Sequence, residues 1–313
     1  MQAIPVPHDC IEGAISLEAG DGWIRPWRIR HDELPLHHPG LQMTGGKASG
    51  VRVRFATASA AVGLRAQPHE EDRRFDLVRD NEILETVTLP ANAAEVAFAP
   101  GAAEERVLEI WLPPNAPAVL EGVLVDDGAS VEPSPDTRRR WITYGSSITH
   151  CSGANSPARI WSGVAARARD LHLTSLGFGG NCHLDPLLAR AIRDRAADLI
   201  TLKLGINIHG GGTLSERTFA WNALGFIRIL RERHVETPIG VISPILCPPR
   251  ETMKSAAGLS LADMRAALRE AVETLRAWGD EHVHYFDGLT LFGEADVEAH
   301  LPDLLHPDGD GYE

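Results

Sequence analysis

The 313-residue sequence has little of what marks secreted, membrane-spanning or nucleic-acid-binding proteins. Its four cysteines lie far apart and form no Cys-x-x-Cys pair, which indicates reduced thiols and not a disulfide framework. It contains no run of about 18 apolar residues that could cross a membrane. Its N-terminus has no basic segment followed by an apolar one, so we expect a cytoplasmic protein. The net charge of −13 argues against nucleic acid or an anionic membrane as partner.

Cofactor and metal motifs are missing too. Gly177-Phe178-Gly179 follows a predicted strand, but Cys182 stands where the third glycine of a dinucleotide-binding motif belongs. Cys182 with His183, and His282 with His284, lack the further ligands that a metal site needs. We therefore expect neither a cofactor nor a metal ion.

The first half of the chain has the two-residue period of half-buried strands. The clearest examples are Val51–Phe55, Phe75–Val78, Ile83–Val87, Val96–Phe98 and Val107–Leu112. No helix is evident between them, and turn residues separate the strands. This pattern predicts an antiparallel β-sandwich, which we describe as jelly-roll-like. The residues of 127–136 are typical of a linker, so we predict domains at 1–135 and 136–313.

Aromatic residues are scarce, at 6% of the chain. Three tryptophans, Trp23, Trp27 and Trp111, fall in the predicted sandwich. They could form a platform on which sugars stack, but core packing is the favoured interpretation.

The second half alternates strands with helices. The predicted strands are Trp141–Tyr144, His172–Leu176, Leu199–Leu204, Ile239–Ser243 and Val283–Phe286. The clearest helix is Leu261–Trp278, whose apolar residues recur at steps of three and four, with Ser260 and Asp263 as a capping box. Such alternation predicts a parallel α/β sheet with helices on both faces.

Polar residues collect at one edge of this predicted sheet, beyond the carboxyl ends of its strands, where ligands bind in such folds. The four loops are Gly145–Thr149, Gly177–His183, Gly205–His209 and Leu301–His306. Together they hold serine hydroxyls, a glycine N–H, an asparagine amide and a carboxylate with an imidazole. These are the groups that acyl transfer requires.

The chemistry gives each group a role. A serine hydroxyl needs a base to remove its proton, and histidine is suited to that near neutral pH. Asp303 lies three residues before His306, so one helical turn would point both side chains the same way. The N–H of Gly180, the amide of Asn207 and the nucleophile's own N–H could stabilise an oxyanion.

These loops resemble the four conserved blocks of the SGNH (GDSL-type) hydrolase family, in order and spacing, from Trp141 to Glu313. The resemblance implies a flavodoxin-like fold, with Ser147 as nucleophile, Asp303 and His306 completing the triad, and Ser147, Gly180 and Asn207 forming the oxyanion hole. The first half is similar to the sandwich that precedes this domain in some members, commonly esterases acting on acetylated sugars.

Two positions depart from the family pattern. Ser146 stands where an aspartate is usual, and Ile208 stands where an aspartate often follows the asparagine. Neither position carries the bond-breaking role, so the departures concern substrate preference.

Some residues keep two interpretations. Ser147 taken alone could be an ordinary helix cap, and the other three loops favour a nucleophile instead. Asn181, His209 and Trp161 are candidates for substrate binding, with packing or surface positions as the alternative.

We therefore predict a serine esterase that hydrolyses small acyl esters, chiefly acetyl esters, with carbohydrate esters among the candidates. The alternatives are a non-catalytic carbohydrate-binding protein, and a thioesterase or lipase acting on longer chains. The expected partner is a small-molecule ester, and the sequence leaves a homo-oligomer open. The final Gly-Tyr-Glu looks like the start of a helix, so we expect the natural chain to continue past Glu313.

Overall fold

The computed structural model describes all residues, Met1–Glu313. They form two compact units: Met1–Arg138 with Cys151–Ser175, and Arg139–His150 with Leu176–Glu313. None of the helices combines the length and the apolar character needed to cross a bilayer. In chain order the elements are β1 (Gln2–Ile4), β2 (Ile11–Glu12), β3 (Ser16–Gly20), β4 (Trp23–Trp27), α1 (Pro39–Gly45), β5 (Arg52–Thr57), β6 (Val62–Ala66), β7 (Arg73–Arg79), β8 (Glu82–Leu89), β9 (Glu95–Phe98), β10 (Arg106–Trp111), β11 (Leu120–Val125), β12 (Glu132–Pro133), β13 (Arg139–Gly145), α2 (Ser147–His150), α3 (Trp161–Ala168), β14 (Leu171–Gly177), α4 (Pro186–Arg193), β15 (Leu199–Lys203), α5 (Ile206–Gly211), α6 (Phe219–Arg231), β16 (Ile239–Ile242), α7 (Leu261–Ala277), β17 (Val283–Phe286) and α8 (Glu294–His300).

The first unit contains two six-stranded antiparallel sheets. One has the order β3-β4-β11-β6-β9, with β1 paired to β11, and the other has the order β12-β5-β10-β7-β8, with β2 paired to β5. Inward-facing residues of both sheets, such as Phe55, Leu64, Ile110 and Val123, share one hydrophobic core in which each is fully buried. The predicted β-sandwich is confirmed, because alternate residues of each strand supply that core.

Two tryptophans of the sandwich are core residues. Trp27 is 6% exposed and Trp111 is 2% exposed. Their indole N–H groups donate to Glu18 and Glu109 respectively, as buried indoles usually require. Core packing, the favoured interpretation, holds for both.

Helix α1 was not predicted. It begins with a proline at its first turn, and the His38 side chain accepts a hydrogen bond from the Gly40 N–H. The proline is an ordinary helix-start signal, whereas a histidine here takes the place of the usual Ser, Thr, Asp or Asn cap. Two glycines and a proline in a seven-residue segment weaken the helix signal in the sequence.

Residues 151–175 follow α2 in sequence but belong to the first unit. The fully buried Asp76 holds them: one of its oxygens accepts from the Ser156 hydroxyl and from the Ala158 N–H, each at 2.6 Å. Arg52 also donates to the Leu173 carbonyl at 2.9 Å. The first unit therefore includes a segment that lies beyond the predicted boundary near residue 135, which itself stays a prediction.

A five-stranded sheet has the order β14-β13-β15-β16-β17, and four of its strands, β13, β15, β16 and β17, lie in the second unit. The pairs β13–β15, β15–β16 and β16–β17 are parallel. Numbered by sequence, the order is 2-1-3-4-5, which is the flavodoxin-like arrangement. This confirms the predicted fold class. The long helix α7 also follows the prediction, since Ser260 and Asp263 form a reciprocal capping box at its start.

Candidate active site

Strand β13 runs directly into the short helix α2, and this junction presents Ser147. The Ser146 hydroxyl accepts a hydrogen bond from the Ile148 N–H at 3.3 Å, so Ser146 caps the turn. Ser146 is 1% exposed, whereas Ser147 is partly exposed. The two adjacent hydroxyls therefore have different positions, and only that of Ser147 is open to a ligand.

The Ser147 hydroxyl contacts an imidazole. Its Oγ lies 2.9 Å from Nε2 of His306, and Nδ1 of the same ring lies 2.7 Å from a carboxylate oxygen of Asp303. An ionised carboxylate can only accept, so Nδ1 carries the proton. In a neutral ring, Nε2 is then the acceptor for the Ser147 O–H. The geometry is that of a hydroxyl whose proton a base can remove.

Asp303 also shapes the turn that carries His306. Its second oxygen accepts from the N–H groups of Leu305 and His306 at 2.9 and 2.6 Å. Leu304, which follows Asp303, has a φ of 59°, so the segment is a turn and not the helical turn we predicted. The Asp303 carboxylate thus fixes both the backbone conformation of the turn and the orientation of the His306 ring.

These hydrogen bonds keep the Asp303 carboxylate ionised. Partial burial by itself raises the pKa of Asp303, but the donors from His306 and Leu305 outweigh it and lower the pKa to about 2. The side chain is 54% exposed and that of His306 is 37% exposed. Asp303 therefore carries its charge at any pH near neutrality.

Two further predicted loops, which contain Gly180 and Asn207, carry hydrogen-bond donors. Gly180 and Gly205 have φ angles of +73° and +116°, in the region that favours glycine. Gly205 precedes α5, on which Asn207 lies. The Oδ1 atom of Asn207 accepts from the Cys182 N–H at 3.1 Å, which directs the amide nitrogen the other way.

Three donors of these loops have no acceptor within the protein: the N–H of Ser147, the N–H of Gly180 and the amide nitrogen of Asn207. These are the groups that the sequence predicts for the oxyanion hole. All of them, with the residues of the predicted triad, lie in the second unit.

The predicted substrate-binding residues lie in different surroundings. Asn181 donates its amide to the Gly179 carbonyl at 2.7 Å. His209 is 4% exposed, and its Nε2 lies 3.0 Å from the Met253 carbonyl oxygen. Trp161 opens α3 in the first unit and is half-buried. Their roles in substrate binding stay predictions.

Two histidines hold the glycine turn, which we define as residues 178–183. Nδ1 of the buried His150 accepts from the Gly179 N–H at 3.3 Å. Nε2 of His183 lies 3.0 Å from the Gly180 carbonyl oxygen, and its Nδ1 lies 2.9 Å from the Thr213 hydroxyl. His183 was not assigned a role from the sequence. Its place directly after Gly179-Gly180-Asn181-Cys182 was the feature that could have indicated one.

The cysteines are poor alternatives as nucleophiles. All four are buried, and burial raises the pKa of the Cys182 thiol to about 12. A neutral, buried thiol is unreactive, because the thiolate is the attacking form.

Comparison with protein-family models gives two matches. Residues 143–313 match the GDSL-like lipase/acylhydrolase family, and residues 10–121 match the N-terminal domain of SsfX3. No curated protein matches the chain.

Solved structures resemble the whole chain. The salicylyl-acyltransferase SsfX3 from a tetracycline biosynthetic pathway is 34% identical, with a TM-score of 0.91 over 99% of this chain and 93% of that one. A protein from Bacteroides ovatus ATCC 8483 described as a GDSL-like lipase is 18% identical, with a TM-score of 0.77 over 99% of this chain and 93% of that one. A family two carbohydrate esterase from Clostridium thermocellum is 13% identical, with a TM-score of 0.69 over 96% of this chain and 94% of that one. The last two share the fold alone.

The family model covers more than half of the sequence, and SsfX3 exceeds 30% identity over nearly all of it. The chain therefore belongs to the GDSL-like lipase/acylhydrolase family.

Proposed function

We propose that the protein is a serine esterase that cleaves small acyl esters through a covalent acyl-enzyme on Ser147. The observation that carries this proposal is the unbroken chain of contacts from the Ser147 hydroxyl through the His306 ring to the Asp303 carboxylate.

The reaction has two stages. His306 Nε2 takes the proton of Ser147 while Oγ attacks the ester carbonyl, and the resulting oxyanion receives hydrogen bonds from the N–H groups of Ser147 and Gly180 and from the Asn207 amide. His306 then returns the proton to the leaving alcohol, which leaves the acyl group on Oγ. Water attacks next while His306 takes one of its protons, and His306 then gives that proton to Ser147 Oγ as the acyl–Oγ bond breaks and the free acid departs. Asp303 keeps the ring oriented and stabilises its protonated form.

The molecule that accepts the acyl group in the second stage decides between hydrolysis and acyl transfer. The likeness to a salicylyl-acyltransferase favours a variant in which an alcohol or amine, instead of water, takes the acyl group. The first stage is the same for both functions, so the roles of Ser147 and His306 do not depend on the choice.

Acetyl esters of carbohydrates are the proposed substrates. Solved structures with the same fold include carbohydrate esterases, which supports sugar esters as the first class to test. The net charge of −13 fits a neutral substrate better than an anionic one.

A panel of esters tests the proposal. The panel contains p-nitrophenyl acetate, butyrate and octanoate together with an acetylated xylose, and each is measured with the wild type and with Ser147→Ala. We expect the highest kcat/KM for the acetates and a loss of kcat of at least about 10³-fold in Ser147→Ala. Turnover that survives in Ser147→Ala would contradict the proposal, and a rate that rises to the octanoate would indicate a lipase.

Adding an alcohol acceptor to the same assay distinguishes the two functions. Release of acetate at an unchanged rate indicates hydrolysis. Formation of the acetylated acceptor at the expense of free acetate indicates an acyltransferase.

A further inference from the structure

The Asn181 side chain lies next to the proposed oxyanion hole but contacts the protein's own backbone. Its amide nitrogen donates to the Gly179 carbonyl oxygen at 2.7 Å. A carbonyl oxygen can only accept, so the amide's NH₂ group must face it. The bond joins Asn181 to the carbonyl of the residue two positions before it in the chain.

The Gly179 carbonyl belongs to the same peptide plane as the Gly180 N–H. A trans peptide is planar, and its C=O and N–H point in opposite directions. A bond that holds the carbonyl therefore also sets the direction of the N–H. It also polarises the peptide, which strengthens the hydrogen bond that the N–H donates.

Glycine flanks this peptide on both sides, within a turn that the Asn181 N–H closes by donating to the Phe178 carbonyl at 2.9 Å. Gly179 and Gly180 lack the Cβ atoms that restrict φ and ψ, and Gly180 has a φ of +73°. The preceding Gly179 N–H is held by Nδ1 of His150, and the following Gly180 carbonyl is held by His183. The Asn181 amide is the contact on the intervening peptide, whose N–H points to no acceptor in the protein.

We propose that Asn181 is a positioning residue that aims the Gly180 N–H at the developing oxyanion, and is not a contact for the substrate. The proposal rests on the proposed function, since it assumes that Gly180 donates to a tetrahedral intermediate formed by Ser147. Its consequence is specific: Asn181 contributes to the transition state and not to ground-state binding.

Asn181→Asp is the sharpest test, because it keeps the size of the side chain and removes the donor. Losing one oxyanion donor outright costs about 10²–10³ in kcat. Since the Gly180 N–H is misdirected and not deleted, we expect a fall in kcat of about 10- to 100-fold with KM within about twofold. The affinity for a methyl trifluoromethyl ketone, whose adduct with serine carries an oxyanion, should weaken by the same factor.

Asn181→Ala is the second variant, and it removes the donor without adding a charge. The matched control is Asn222→Asp on α6, where an exposed asparagine amide donates to the Thr218 carbonyl at 2.8 Å. Asn222→Asp should keep the wild-type kcat and ketone affinity. Thermal melting of each variant shows whether the fold is kept.

The outcomes separate the alternatives. Parallel losses of kcat and ketone affinity in both variants, with KM kept, support the proposal. A rise in KM with kcat kept would make Asn181 a substrate contact and overturn it, and so would unchanged kinetics or unfolding of both variants. Ser147→Ala in the same assay reports on the proposed function separately: if it is inactive while Asn181→Asp is normal, only the positioning role fails.

Discussion

Asn207→Asp removes one proposed oxyanion donor and keeps the contact that holds its loop. Oδ1 of Asn207 accepts from the N–H of the buried Cys182 at 3.1 Å, and an aspartate oxygen can accept the same bond. The other branch of the side chain changes from an NH₂ donor to a carboxylate oxygen. The variant therefore keeps the contact that holds the loop, loses the donor and adds a negative charge.

The expected loss follows from these contacts. One missing donor costs about 2.7–4 kcal/mol of transition-state stabilisation, or about 10²–10³ in kcat. The new negative charge near the oxyanion adds to that cost, so we expect Asn207→Asp to lie at or beyond the upper end. KM should change little, because the bond strengthens only as charge develops. Steady-state hydrolysis of p-nitrophenyl acetate measures both constants.

Asn207→Ala provides the comparison. It removes the donor without adding a charge, so its kcat should exceed that of Asn207→Asp. It also leaves the Cys182 N–H unpaired, at a cost of about 1–3 kcal/mol, so its melting temperature should be the lower of the two. Wild-type kcat in Asn207→Asp, or an effect on KM alone, would refute the assignment of Asn207 to the oxyanion hole.

Three further predictions follow from other contacts. Iodoacetamide should leave the folded enzyme active, because all four thiols are buried and burial raises the pKa of Cys182 to about 12; rapid inactivation would point to a cysteine in the reaction. The pKa of Asp303 is lowered from 3.8 to about 2, so its contribution to stability is present above about pH 4 and disappears as the pH falls through 2. The difference in melting temperature between wild type and Asp303→Asn should therefore shrink as the pH falls from 4 to 2. A constant difference would contradict the pairing of Asp303 with His306. Asp76→Ala should lower the melting temperature clearly, since it leaves the Ser156 hydroxyl and the Ala158 N–H unpaired at about 1–3 kcal/mol each. The control Asp72→Ala should lower it much less, because Asp72 is exposed and its side chain accepts one hydrogen bond, from the Ala91 N–H.

Local pattern was enough to predict the strands of the parallel sheet and the loops that carry the candidate site. Strands such as Leu199–Lys203 are short apolar runs between turn residues, and their order along the chain determines which loops meet at the carboxyl edge. The contacts of Ser147, His306 and Asp303 then depend on that shared edge. In each loop the position of the polar residue can be read from the sequence.

Long-range contacts could not be predicted in this way. Asp76 and Ser156 are 80 residues apart, and nothing in the periodicity of either segment indicates that they meet. The periodicity of the sequence therefore does not indicate which residues of 151–175 pack with the sandwich. The contact of Asn181 with Gly179 was missed for another reason, since an asparagine beside two glycines looks equally like a ligand-binding group.

The most direct test of the account is the identity of the residue that carries the acyl group. Wild type, Ser146→Ala and Ser147→Ala are mixed with p-nitrophenyl acetate, quenched in acid within the first turnover, digested and mapped by mass spectrometry. The account predicts an added acetyl group on the peptide containing Ser147 in the wild type and in Ser146→Ala, and none in Ser147→Ala. An acetyl group on Ser146 or on a cysteine, or its persistence in Ser147→Ala, would contradict the assignment of Ser147 as the nucleophile.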